Sequence, residues 1–435
     1  MTARFRKLLD DLAETFWLVP ALLILLGIGI AFQAIAIDRG TIVPGWLRDE
    51  WLYTGGATGA RTLLGAIASS TIGVAGTVFS IMIAALSLAA GQMGPRLLRN
   101  FTRDRGNQVT LGVFLATFCY ALIVLRSVRT PAEGEFVPHL ATTLGIVLAF
   151  LSVANLVYFV GHMSGRINVD TVISLVSEDV QAMIGSLTRE GSQPAPPPQS
   201  FWRHAVPITD PRQGYLVQLD ENGLATWACE HGTSVHLLVR PGDYVFPGAP
   251  IAIATHPCDG IEEAIRNATA LSPQQVTSAD LRFAIRQLVE VAVRALSPGI
   301  NDPHTAITVL DRLGAALCEI QPVKLQTGVW IKDGKPSLVV PHLRYGELVG
   351  AMFDMIRQNA SNAPPVLIRM IEVLTQVVSR ERDPDRSDCI RKQADLVLED
   401  AERSIRTPSD LDAIRSHHRV FTAILENGPL GRFRV

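Results

Sequence analysis

Between Leu63 and Asn100 a long uncharged run passes directly into a short basic segment. At helical spacing Gly65, Ser69, Gly73, Gly76, Ser80, Ala84, Ser87 and Gly91 fall at steps of three and four, so one face of the predicted helix bears only small residues. Its other flank is Ile67, Val74, Val78, Ile81, Leu86 and Leu88. Apolar runs at residues 16–37, about 109–125 and about 139–161 are each long enough, at about 1.5 Å per residue, to cross a bilayer core. None of these cores holds Asp, Glu, Lys or Arg, which argues against a carboxylate-driven pump or symporter. Gly94-Pro95 is expected to end or bend the second helix, because proline lacks the amide donor and clashes with the preceding turn.

After residue 165 the periodicity becomes that of water-soluble elements. Val172, Ile173, Val176, Val180, Met183, Ile184 and Leu187 stripe one helical face, and a stiff linker follows at Pro194-Ala195-Pro196-Pro197-Pro198. Strands are predicted at 215–219, 235–239 and 251–254, with turns at Arg240-Pro241-Gly242-Asp243 and Phe246-Pro247-Gly248. Ser278 is placed to cap a helix carrying Leu281, Ala284, Ile285, Leu288, Val289, Ala292, Val293 and Leu296. At Ser297-Pro298-Gly299-Ile300-Asn301-Asp302-Pro303 the helix breaks and restarts, with Asp302 as cap and Pro303 at the first helical position. Asp333-Gly334 marks a hairpin between 329–331 and 338–340, and helices are expected at about 345–359, 365–382, 387–406 and 409–425. The predicted fold is therefore a four-span α-helical membrane domain (1–165), an amphipathic helix and Pro-rich linker (166–200), a small β module (201–260) and a mainly helical domain with one hairpin (261–435). The last three make a cytoplasmic α+β domain.

Composition sharpens this picture. Of 435 residues 48% are apolar and only 18% charged, against about 25% charged in soluble proteins. A net charge of -2 offers no basic field for nucleic acid. Arg4, Arg6 and Lys7, and then Arg96, Arg99, Arg103 and Arg105 against the single acid Asp104, are the basic flanks. The positive-inside rule thus predicts four spans with both termini in the cytoplasm. Trp46, Trp51 and Tyr53 suit a membrane boundary. Ala34-Ile35-Ala36 resembles a signal-peptidase site, but the apolar core before it exceeds the 7–15 residues of a signal peptide, so a retained span is expected. Cys119, Cys229, Cys258, Cys318 and Cys389 are odd in number and scattered, which suits a reducing compartment and no disulfide framework.

Four segments together resemble a known family: Phe16-Trp17-Leu18-Val19-Pro20-Ala21, Gly94-Pro95-Arg96-Leu97-Leu98-Arg99-Asn100-Phe101, Arg240-Pro241-Gly242-Asp243-Tyr244-Val245 and the run from Arg294 to Pro303. The chain is similar across nearly its whole length to the bacterial predicted-membrane-protein family catalogued as domain of unknown function 2254. The resemblance implies a multi-pass inner-membrane protein with a cytoplasmic domain and carries over no catalytic residue.

Several constellations remain to be weighed. The small-residue stripe suits either tight packing against another span or the lining of a symmetric pore. A glycine-rich helix, a Gly-Pro bend and a basic continuation resemble, in pattern alone, the pore helix of small-conductance mechanosensitive channels. Arg96, Arg99, Arg103 and Arg105 would then form a cytoplasmic cationic ring, although the ordinary positive-inside signal is the plainer account of them. Cys229-Glu230-His231, His236 and His256-Pro257-Cys258 have metal-ligand chemistry, but their spacing fits no common zinc pattern, so no metal is expected. The turns at Gly242 and Gly248 resemble those of lipoyl- and biotinyl-type domains, yet no lysine lies between Arg212 and Ile265 to carry a prosthetic group. Arg294, Ser297, Asn301, Asp302 and His304 are candidates for a ligand or subunit contact, though each also suits a helix corner. No nucleotide loop, dinucleotide fingerprint, nucleophile elbow or zinc-protease helix occurs, so neither an enzyme nor a cofactor is expected. The expected partners are the lipid bilayer and further copies of the chain. The favoured function is a channel-like homo-oligomer with the second span at its axis. The alternative is a non-conducting scaffold or sensor whose cytoplasmic domain binds a partner or ligand.

Overall fold

The computed structural model describes residues 16–40, 52–93, 104–130, 136–166, 169–186, 194–256, 258–273, 281–323 and 325–433. They divide between two compact units, one within Asp10–Thr171 and one within Val172–Val435.

Among the described residues of the first unit, four helices are long and apolar enough to cross a membrane: α1 (Leu18–Arg39), α2 (Ala57–Met93), α3 (Arg105–Ser127) and α4 (His139–Arg166). Helix α3 is central and touches the other three. Lipid offers no hydrophobic drive for helix association, so close contact must come from small residues. Gly27 of α1 lies against α3 so tightly that a Cβ there would stand 2.8 Å from the Ala116 carbonyl oxygen. Gly112 of α3 is pressed by Leu23 and Pro20 of α1, and Gly145 of α4 by Leu64 of α2. Asp38, near the end of α1, accepts from the amides of Leu140 and Ala141 at 3.0 and 2.9 Å and so caps the start of α4, whose first turn has no acid of its own.

The second unit opens with α5 (Val169–Ser186), which buries Val172, Ile173, Val176, Val180 and Ile184 as its stripe predicts. The β part comprises β1 (Val206–Thr209), β2 (Gly214–Leu219), β3 (Val235–Leu237), β4 (Tyr244–Val245), β5 (Pro250–Ala254) and β6 (Thr269–Ser272), with helices α6 (Glu221–Glu230) and α7 (Ile261–Ala268). One antiparallel sheet runs β4-β2-β6. The other runs β1-β5-β3-β8-β7, where β7 (Val329–Lys332) and β8 (Lys335–Val339) form the hairpin expected at Asp333-Gly334, both residues at positive φ. Strand β8 pairs in parallel with β3, so the hairpin completes a sheet begun about a hundred residues earlier. Leu216, Leu224, Val235, Leu237, Ile251, Ile265 and Leu338 fill the space beneath.

Sequence periodicity predicts β2, β3 and β5 and misses β1, β4, β6, α6 and α7. The reasons are local. Helix α6 buries Leu224, Ala225 and Ala228, too small a set to read as a stripe, and α7 passes into β6 at Thr269 with no turn residue between them. Among the described residues six α-helices follow, α8 (Leu281–Ala295), α9 (Pro303–Ile320), α10 (Tyr345–Asn359), α11 (Pro364–Arg380), α12 (Pro384–Ser404) and α13 (Pro408–Asn427), and then a short 3-10 helix, Gly428–Phe433. The last three α-helices begin slightly earlier than predicted because proline sits in each first turn, where its fixed φ suits the helix and no amide is lost.

Candidate functional site

The small-residue stripe of α2 lies opposite the face that packs. Ala57, Ala60, Leu64, Ile67, Ala68, Thr71, Ala75, Val78 and Ala85 are the residues this helix buries among those described. At 100° per residue their arc is centred on the far side of the helix from the stripe. Ser69, Gly73, Gly76, Ser80, Ala84, Ser87 and Gly91 are exposed and Gly65 half-buried. A Cβ added at Gly65, Gly73, Gly76 or Gly91 would have nothing within 4 Å. Packing between spans of one chain, the plainer expectation for this stripe, therefore does not use it; Gly27, Gly112 and Gly145 serve that purpose. Exposed Ile72, Phe79 and Ile83 border the stripe on one side, and Ile81 and Leu88 on the other, so the small residues floor a shallow groove. The hydroxyls of Thr77 and Ser80 donate to the carbonyls of Gly73 and Gly76 at 3.1 and 2.9 Å, which satisfies them within an apolar face.

A polar seam that hydropathy does not reveal joins α3 to α4. Asp104 caps α3 by accepting from Gly106 N at 2.7 Å and Asn107 N at 3.4 Å, and its carboxylate meets His162 Nε2 at 2.9 Å. Further along, Thr110 Oγ1 donates to Asn155 Oδ1 at 3.4 Å, Asn155 Nδ2 to the Thr110 carbonyl at 3.3 Å, and the Thr117 and Ser152 hydroxyls share a bond of 3.1 Å. Tyr120 Oη then donates to the Ala141 carbonyl at 2.7 Å. The contacts beyond Asp104–His162 are the uncharged polar contacts that bind spans where water is absent. Sequence reasoning missed them because it looked for intramembrane charge; the recurrence of Thr110 and Thr117 on one face of α3 was the available signal. Arg105 opens α3, while Arg96, Arg99, Arg103 and the Gly94-Pro95 bend lie outside the described residues, as do Trp46 and Trp51. Tyr53 donates its amide to Thr143 Oγ1 at 2.7 Å and offers its carbonyl to His139 Nδ1 at 2.5 Å, tying the loop before α2 to α4.

In the second unit the corner between α8 and α9 assigns its polar groups to the backbone. Asp302 accepts from His304 N, Thr305 N and Thr305 Oγ1 at 3.1, 3.2 and 2.6 Å, and the Thr305 hydroxyl, followed by these amides, holds its carboxyl below the usual range. Ser297 Oγ donates to the Arg294 carbonyl at 2.6 Å, and Asn301 takes a φ of 51°, which asparagine tolerates. Arg294 lies 3.7 Å from Glu290, and His304 is exposed. The cysteine and histidine candidates are dispersed. Cys229 Sγ faces Asp333 Oδ2 at 3.3 Å, His231 stacks on Trp227, and His236 leans on Trp202. Among the described residues no three His, Cys, Asp or Glu side chains gather to hold an ion. Gly242 and Gly248 take φ of 97° and 79°, the conformation that their turns require.

The family described as "Predicted membrane protein (DUF2254)" matches residues 13–376. The chain belongs to this family. The DUF2254 match spans both units, from before α1 to within α11. An uncharacterized protein of Mycobacterium tuberculosis strain CDC 1551 is 30% identical over 429 residues, covering 94% of this chain and 80% of that protein. An uncharacterized protein of Mycobacterium bovis is similar to the same extent. No solved structure matches the chain.

Proposed function

We propose that this membrane protein is a channel-like homo-oligomer of the bacterial inner membrane, with α2 of each copy at the axis and both termini in the cytoplasm. The observation that carries the reading is the direction of the α2 stripe. A face of glycine, serine and alanine turned away from its own bundle gains nothing from lipid contact. Among identical copies it lets backbones approach closely or leaves room for a lumen. Exposed faces elsewhere in the unit differ in kind: α4 presents Val147, Phe150, Val153 and Val157, and α1 presents Leu22, Leu25, Leu26 and Phe32, large side chains suited to acyl chains. The orientation rests on the basic residues before α1 and between α2 and α3. No catalytic step is assigned.

Two measurements test the proposal. The mass of the detergent-solubilised particle should correspond to several copies, since one helix per chain cannot enclose a lumen alone. Protein reconstituted in liposomes should pass ions under voltage, tension or osmotic shock. A monomeric particle, or the absence of flux under all three stimuli, overturns the channel reading and favours a non-conducting scaffold or sensor. A reporter fused after Val435 that is active only when exported would overturn the orientation.

A further inference from the structure

The second unit contains a cleft of about 410 Å³ that the membrane reading leaves unused. Its volume lies within the range of about 300–1,000 Å³ usual for small-molecule sites. Pro196, Pro197 and Gln199 of the linker line it with Trp202, β3 supplies His236, and the end of β8 and the residue after it supply Val339 and Val340. The Trp202 ring leans on the His236 imidazole, with centroids 5.1 Å apart. Arg240, His342, Arg344 and Glu347 line the rest of the cleft.

The polar groups of this cleft are held in place. Arg240 donates to the His342 carbonyl at 2.8 Å and to Glu347 Oε2 at 2.9 Å, which leaves its guanidinium fixed and largely covered. Asp243 is neutralised from behind by Arg282 at 3.0 Å and accepts the Arg240 amide at 3.1 Å. Burial keeps His236 and His342 below the ordinary imidazole range, so at neutral pH both are uncharged donors or acceptors. With Arg240 paired to Glu347 and Asp243 held by Arg282 from outside the cleft, the remaining lining cation is Arg344, which is exposed at the start of α10. Its guanidinium makes no ion pair or hydrogen bond among the described residues. The cleft thus combines an aromatic wall, neutral imidazoles and one unspent guanidinium.

We propose that this cleft binds a small anion carrying a planar ring, of the nucleoside diphosphate class. Its ring would lie against Trp202 and His236, with its phosphates at Arg344. Stacking on an aromatic face tolerates any base, whereas a planar guanidinium suits phosphate oxygens in particular. Either half of such a ligand alone meets only half of the site. This inference is independent of conduction, because its readout is binding.

The test titrates ADP into the full-length protein in detergent, followed by tryptophan emission and by calorimetry. Adenosine and inorganic phosphate serve as half-ligands. Saturable ADP binding is expected, with adenosine and phosphate each at least about tenfold weaker. Arg344→Gln and Trp202→Leu are each expected to weaken ADP by about tenfold or more while the unfolding midpoint stays unchanged, Arg344 being exposed and Trp202 only half-buried. Failure of ADP to bind saturably at millimolar concentration overturns the proposal. So does binding that survives both substitutions, which would place the site elsewhere. If Trp202→Leu lowers the midpoint, Arg344→Gln decides alone.

Discussion

Two glycines in neighbouring spans should respond in opposite ways to added bulk. At Gly27 the new Cβ of an alanine would stand 2.8 Å from the Ala116 carbonyl oxygen and 3.2 Å from the Ala116 Cβ. These partners are backbone or attached directly to it, so α1 and α3 must part, at a cost of about 1–3 kcal/mol as for other overpacked contacts. At Gly76 nothing lies within 4 Å, so even leucine should leave the four-helix unit within about 0.5 kcal/mol of its original stability. Alanine there would gain up to about 1 kcal/mol of helix propensity. Graded unfolding in mixed detergent reads the stability of each variant, while particle mass and liposome flux read its assembly. Gly27→Ala should unfold earlier. Gly76→Leu should fold normally yet lose flux, particle order or both, because four more carbons from each copy would converge on one axis. Gly76→Ser adds a hydroxyl with little volume, and its neighbour Ser80 already returns a hydroxyl to the helix, so it should retain flux. Normal mass and normal flux in Gly76→Leu would refute the placement of this face at an axis.

Three further outcomes are expected. Asp302→Ala removes the cap of α9 and should cost about 1 kcal/mol by thermal unfolding; because the native carboxyl titrates below its unfolded value, its contribution is present above the ordinary carboxylate range and should fade as pH falls through the lowered native value. Arg212→Ala removes the guanidinium bonds to the Asp210 carboxylate, which is 2% exposed, and leaves it the residue-212 amide and the charge of Arg266; thermal unfolding should show a loss of about 3 kcal/mol, because burial raises that carboxyl and the Arg212 side chain is the chief group that holds it low. In the membrane unit a double-mutant cycle of Thr117→Val and Ser152→Ala, followed by unfolding in mixed detergent, should give a coupling of about 0.6 kcal/mol; a coupling indistinguishable from zero would remove the seam as a source of stability.

The pattern of α2 was legible in the sequence, but its direction was not. Small residues lie on both faces: the packed side has Ala57, Ala60, Ala68, Ala75 and Ala85 beside Leu64, Ile67 and Val78, the exposed side glycine, serine and alanine. Side-chain size alone therefore cannot tell which face meets a neighbour, and the opposing surfaces of α3 and α4 decide it. The α8–α9 corner was legible because its determinants are local: a proline, an asparagine that accepts positive φ and an aspartate one residue before the helix act over a few bonds. The polar seam and the cleft were not, for a common reason. Asp104 and His162 are 58 residues apart in sequence, and Trp202, His236, Arg240 and Arg344 come from four segments, gathered when β8 pairs in parallel with β3. Parallel pairing needs no turn between its strands and so leaves no local signal. The residues that set chemistry in this chain are thus brought together by the connections that periodicity sees least, whereas those that set its topology lie in runs that hydropathy reads directly. An Arg344 or a Thr117 read alone is an ordinary surface cation or a helix-interior hydroxyl. Each acquires a possible role only through the residue opposite it, and variants that change one partner at a time are therefore the ones that discriminate.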